Sequence, residues 1–217
     1  MSRITSGLCA ALALGLGGLL AAVLLALPDK AGLRVPVAAH LDASGLDHAV
    51  SAVLLNFRAH DTFLELGVLL LAVLGAWSLG RYKPLPAHPV PGPVMPATVR
   101  LLLPVAVVIG VYLLWVGSQA PGGAFQAGSV LGAAAVLWAL SRPRKLPRPS
   151  PLLLRLGLVA GVALFLSVGV TGGLLGFGFM GYPPAWAKAL ILLIEAGATI
   201  SIALTLAALF LGGDPHR

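Results

Sequence analysis

Six stretches of this chain, at 4–27, 62–80, 98–117, 124–141, 152–171 and 186–211, are apolar and long enough to cross a bilayer as helices. A hydrocarbon core takes about 20 apolar residues per helical crossing. A backbone crossing it must satisfy its own hydrogen bonds. The whole chain is 59% hydrophobic and only 10% charged. A soluble domain of 217 residues has no use for that much apolar surface. The expected fold is all-α: a polytopic integral membrane protein of about six transmembrane helices, with membrane lipid around it. The net charge of +7 does not point to nucleic acid, because the basic residues cluster in short loops where they orient spans.

The first run follows Arg3, so a cleaved signal peptide is one reading. The run is longer than a signal core, and Ala26-Leu27-Pro28 is a poor cleavage site, which favours a retained helix. Residues 28–47 read as a polar loop. In 48–57, Val50, Val53, Leu54 and Phe57 fall at helical spacing, in a segment too short to span and suited to an interfacial or partly buried helix. Asp61 is a candidate N-cap, and Thr62-x-x-Glu65 fits a capping box. Six prolines in 81–97 predict an extended linker. It divides the chain into a module at 1–90 with two transmembrane helices and one at 98–213 with four. With the amino terminus cytoplasmic, 10 of the 14 Lys and Arg residues fall on the inner side. Lys30, Arg34, Arg58 and Lys188 fall outside. The asymmetry predicts both termini and the 81–97 and 142–151 loops inside.

Between the third and fourth runs lies Ser118-Gln-Ala-Pro-Gly-Gly-Ala-Phe-Gln-Ala-Gly-Ser129, with no charge. Pro121 ends one helix and Gly122-Gly123 permit a sharp reversal, so the pair of runs reads as a tight transmembrane hairpin. Gly128 and Gly132 form a small-xxx-small pair suited to close helix contact. On these residues alone, a polar turn between packed helices explains the stretch as well as any chemistry does.

The run Pro121-Gly122-Gly123-Ala124-Phe125-Gln126-Ala127-Gly128 resembles the PGGGFxGG pattern of the MnhB/MrpB family. These are small membrane proteins of multisubunit sodium/proton antiporters and of related membrane-bound hydrogenases. Upstream, Val53 to Glu65 (VLLNFRAHDTFLE) is similar to the VxxxxDFRxxDTLGE motif found in MbhE of the hydrogenases and in the carboxy-terminal part of MrpA of the antiporters. The resemblance implies a non-catalytic subunit in the cell membrane of a bacterium or archaeon. Its partners would be a large antiporter-like subunit together with other small membrane subunits. A hydrogenase-type complex stands as the first alternative, and a stand-alone transporter or intramembrane enzyme as the second. Two departures matter. The family's Asp before Phe-Arg is Asn56 here, which removes a titratable group. Where many members carry a histidine before the turn, this chain has Ser118 and Gln119, which makes a histidine shuttle there unexpected.

Ionisable groups inside apolar spans are costly and mark candidate function. Glu195 lies roughly ten residues into the last run, with Lys188 at i−7 and Thr199 at i+4 on its face. One reading has it take and release a proton. The other has it neutral and hydrogen-bonded to a neighbouring helix. The family pattern carries a similar acidic residue in its last helix. Arg58, Asp61 and Glu65 form a second cluster, with His60 among them: a salt-bridged helix entrance, or an ion entry point. The five histidines lack metal-ligand spacing and the lone Cys9 excludes an internal disulfide, so neither a metal nor a cofactor is expected. No nucleophile elbow, zinc-protease, P-loop or dinucleotide motif is present. The sequence therefore gives no sign of an enzyme.

Overall fold

Each long apolar run folds as one helix in the computed structural model, which describes residues 3–26, 32–79, 92–141 and 150–211. In chain order the long helices are α1 (Arg3–Leu25), α4 (Ala59–Ser78), α5 (Val94–Val116), α6 (Ala124–Ser141), α7 (Pro151–Leu174) and α8 (Ala187–Leu211). Two short helices, α2 (Arg34–His40) and α3 (Ala49–Ala52), precede α4. All six long helices meet the length and apolarity needed to cross a membrane. No strand occurs among the described residues. The protein is therefore an all-α polytopic membrane protein. Most of the 81–97 linker, the 142–149 loop and the carboxy-terminal tail lie outside the described residues.

The chain forms two compact units, Met1–Pro36 and Val37–Arg217. The first contains α1. The second is built around α8, which packs on α6, α7 and α4, while α5 packs on α6. Within its apolar window α8 is 50% buried, against 11% for α5. Small residues allow the close approach. A Cβ at Gly128 would lie 2.8 Å from the Ile202 side chain, and one at Gly132 would lie 3.1 Å from the Ala203 carbonyl oxygen. The spacing predicted to favour helix contact is thus the seam between α6 and α8. On the other flank, a Cβ at Gly161 of α7 would meet the Ala198 Cα at 3.0 Å.

Several local expectations are corrected. Residues 28–47 are not all loop, since α2 and a 3-10 turn at Asp42–Ser44 lie within them. The helix α5 begins at Val94, inside the predicted linker, because Pro96 falls in its first turn where a missing N–H costs nothing. The capping box does not form. The helix α4 starts at Ala59, two residues before Asp61, and no side chain caps it. Thr62 instead donates its hydroxyl to the Leu54 carbonyl at 2.6 Å.

That carbonyl is available because Val53–Phe57 is a π-helical turn. The Arg58 N–H reaches back five residues to the Val53 oxygen, at 2.8 Å, and leaves Leu54 without its usual donor. Residues 41–58 pack on the turn before α8. Gly45 (φ 72°) sits where a Cβ would meet the Pro184 oxygen at 2.7 Å. Asp47 pairs with Lys188 at 2.7 Å.

Candidate functional site

The Pro-Gly-Gly turn and the buried glutamate meet at one place. After α5 ends, the turn folds back on it, and the Gly123 N–H donates to the Leu113 carbonyl at 2.8 Å. The Gly123 carbonyl then accepts from the Ala127 N–H at 3.0 Å, which makes Gly123 the cap residue of α6. Preferred caps bring their own side-chain oxygen to the first free N–H groups. Gly123 has none. The oxygen comes instead from α8: the Ala124 N–H donates to the Glu195 carboxyl group. Oε1 is the carboxyl oxygen beside the turn, 2.7 Å from where a Cβ on Gly123 would be, while Oε2 is buried without a partner. The positive end of the α6 dipole therefore faces the one buried acidic side chain among the described residues.

Gly123 is fixed by two independent demands. Its φ of 103° lies in a region that side-chain-bearing residues avoid. A Cβ there would also stand 2.7 Å from Glu195 Oε1. Gly122 has no positive φ; its constraint is the Leu113 oxygen, 2.5 Å from where a Cβ would be. Pro121 and Gln126 are exposed, and Phe125 is half-buried.

Beside Glu195 lies a cavity of about 120 Å³. Its polar lining comes from His48, Ser51, Thr62, Gln126 and Glu195, and its apolar lining includes Leu55, Leu66, Phe165 and Ile194. Ser51 and Thr62 are buried, and Glu195 is only 4% exposed. The Ser51 hydroxyl donates to the Gly117 carbonyl, tying α3 to the end of α5. Of this polar lining the sequence points to Thr62, Gln126 and Glu195, and not to His48 or Ser51. The cavity joins residues 48–66 to residues 121–126 and 194–198, which no short spacing could reveal. One signal was present: a helix that starts on Gly-Gly has no capper of its own, and an intramembrane carboxyl group needs a donor.

The other named residues lie elsewhere. Thr199 donates to the main-chain carbonyl of Glu195 at 2.7 Å, not to its carboxyl group. Lys188 is drawn away to the exposed pair with Asp47. Arg58 and Asp61 form the ion pair expected of them, on the exposed face of α4. Glu65 is exposed on the same helix, and none of these three lines the cavity. His60 rests against the Phe179 ring, 5.5 Å between centroids. Asn56 donates its amide to the Ser44 carbonyl at 3.3 Å, a bond that an aspartate could not make.

These features define a class: a helical membrane protein whose transmembrane hairpin begins its second helix against a carboxyl group from another span. The particular family follows from comparison. Residues 94–211 match the family model described as a domain related to the MnhB subunit of Na+/H+ antiporter, and the chain belongs to that family. Two solved structures share the fold. One is a chain of the membrane-bound sulfane sulfur reductase, an archaeal respiratory membrane complex. It is 22% identical with a TM-score of 0.69, over 94% of this chain and 98% of that one. The other is a chain of the Mrp complex from Dietzia sp. DQ12-45-1b, 24% identical with a TM-score of 0.71. That match covers 100% of this chain but only 27% of the longer one. No curated protein matches the sequence.

Proposed function

We propose that this chain is a non-catalytic membrane subunit of an Mrp-type cation/proton antiporter complex in a bacterial or archaeal cell membrane. Its partners in this reading are a large antiporter-like subunit together with other small membrane subunits. Glu195 is the group placed on the ion or proton path. The observation that supports this is the pairing of Glu195 with the family's own turn, through the Ala124 N–H, beside a cavity with a few polar groups in a largely apolar wall. A carboxyl group kept inside a span, at a cost, and given a donor and an open space is suited to exchange. Arg58, Asp61 and Glu65 belong to the proposal as an outer entry point. Both termini face the cytoplasm, and the modules at 1–90 and 98–213 are divisions of sequence.

A second reading has a specific observation behind it. The chain and one protein of a respiratory complex cover each other almost end to end. A membrane-arm subunit of a redox-driven ion pump is therefore the alternative. Purification of the tagged chain from native membranes, followed by identification of the co-purifying subunits, separates the two. Antiporter subunits are expected; redox subunits would favour the alternative, and purification of the chain alone would sink both.

The role of Glu195 is tested in membrane vesicles by cation-driven pH change, with complex abundance measured in parallel. Glu195→Gln retains an acceptor for the Ala124 N–H but cannot ionise. It should assemble normally and impair exchange. Glu195→Ala should weaken assembly as well, through lost packing and hydrogen bonding. Wild-type exchange by an assembled Gln variant would remove Glu195 from the path and leave it a purely structural acid.

A further inference from the structure

The connection from α7 to α8 lies in a stretch with no charged residue between Arg155 and Lys188. Residues 175–181 do not leave the end of α7 for water; they fold back along it. The Phe177 N–H donates to the Gly172 carbonyl at 3.0 Å, and the Met180 N–H to the Gly169 carbonyl at 3.2 Å. Gly169 lies five residues before Leu174, the last of α7, so the return is about 7 Å deep at the helical rise. Gly176 and Gly178 hold φ of 85° and 86°, with open space where a Cβ would be, so they serve the reversal and not the packing. Met180 holds φ 64° with its side chain buried against Gly169, where a Cβ would stand 2.9 Å from it.

The outer surface of this flap is hydrocarbon. Leu174, Leu175, Phe177, Phe179 and Trp186 all stand exposed, and they continue the exposed apolar face of α7 at Leu166 and Val170. Three features match that surface to lipid. The backbone needs little water: the N–H groups of Leu175, Gly176, Phe177, Met180 and Gly181 donate to main-chain carbonyls, and Pro183 and Pro184 have none. Internal pairing of this kind is what an apolar surrounding demands. The rings also sit where the spans meet their first charges. Phe179 rests on His60, next to the Arg58–Asp61 pair, and Trp186 lies two residues before Lys188. Trp and Phe favour that level of a bilayer. Finally, the neighbouring cations are committed, Arg58 to Asp61 and Lys188 to Asp47, which leaves little to draw an anionic headgroup.

We propose that residues 174–179 form a flap that inserts into the bilayer interface, at the boundary of headgroups and acyl chains, and that it is held there by apolar burial and not by lipid charge. The proposal does not depend on a role for Glu195 or on antiport. The test uses the full-length chain in lipid nanodiscs and the complex purified from native membranes, both in a Cys9→Ser background. Spin labels are placed singly at Leu175→Cys and Phe177→Cys, two exposed positions. Electron paramagnetic resonance compares collision with oxygen, which concentrates in lipid, and with a water-soluble nickel chelate. Exposed Asp42→Cys is the aqueous reference and Val170→Cys, on α7, the lipid reference. In nanodiscs both flap labels should shift from the Asp42 value towards the Val170 value, with most nickel broadening lost. The shift should be the same in phosphatidylcholine alone and with phosphatidylglycerol added, and should survive high salt. Nickel access equal to that at Asp42 would overturn the proposal, as would insertion seen only with anionic lipid or lost at high salt. Labels shielded from both reagents in the purified complex would overturn it in favour of a protein partner. Circular dichroism checks that each variant keeps its helices, and where one does not, the other decides.

Discussion

Gly123 should be among the least replaceable residues in the chain, and the reason can be worked from its surroundings. A valine there must adopt a φ near 103° and place its Cβ 2.7 Å from Glu195 Oε1. Backbone strain of this kind costs about 1–3 kcal/mol. If the carboxyl group retreats to make room, the Ala124 N–H loses its acceptor, at about 1.5–3 kcal/mol for a charge-assisted bond. The sum, about 2.5–6 kcal/mol, reaches at its upper end the whole stability of a marginal domain. Ala120→Val, in the same turn, meets neither demand and is the control. The assay is resistance of the membrane-embedded chain to denaturant, read by helix content and by yield of assembled complex. A cycle with Glu195→Ala then separates the terms. Removing the carboxyl group relieves the collision but not the strain, so the double variant should be at least about 1 kcal/mol more stable than additivity predicts. Equal losses for Gly123→Val and Ala120→Val, or strict additivity with Glu195→Ala, would refute the idea that turn and carboxyl group form one unit.

Other outcomes follow from the same structure. The Tyr182 hydroxyl is buried without a partner, and burial pushes its pKa up to about 12, so Tyr182→Phe should leave thermal stability unchanged or raise it by about 1 kcal/mol. Lys188→Ala breaks only an exposed pair with Asp47 and should cost less than about 1 kcal/mol with exchange intact, as denaturation and vesicle assays would show. Gly128→Leu should push α6 off Ile202 of α8 and reduce the yield of folded chain in detergent far more than Ser129→Leu on the exposed face of α6. Single cysteines in a Cys9→Ser background should label from the outside in the 118–123 turn and from the inside at Leu146; outward labelling at Leu146 would reverse the orientation.

Much of the fold was legible because its main cause is one-dimensional. An apolar run of sufficient length has few options in a bilayer, and the fourth run begins and ends where α6 does. The small residues at Gly128 and Gly132 gave away a close seam without saying which helix lay across it. Glu195 could be singled out because charge inside a span is conspicuous. Its partner could not, since the donor is a backbone N–H lying far from it in the sequence, and every residue has one to offer. The predicted companions failed for a related reason. Helical spacing put Lys188 and Thr199 on the face of Glu195, but Asp47 competes for the lysine and the main chain for the threonine. The capping box at Thr62 was a local match defeated by an upstream carbonyl that only a π turn sets free.

That π turn bears on how chains of this kind tolerate changes in length. A five-residue return at Val53–Phe57 amounts to one residue more than an α-helical path would use. Deleting a single residue there would leave every apolar run and charge in place, would shorten the Val53–Glu65 motif by one, and would even regularise the helix. It would also rotate what precedes the deletion by about 100° relative to α4. Ser51 and Leu55 would swing off the wall they share with Thr62, and Leu54 would regain an intrahelical donor. Two sequences indistinguishable by composition and hydropathy would then differ in whether a pocket exists at all. A gap of one in this short stretch carries more information than many substitutions within the spans.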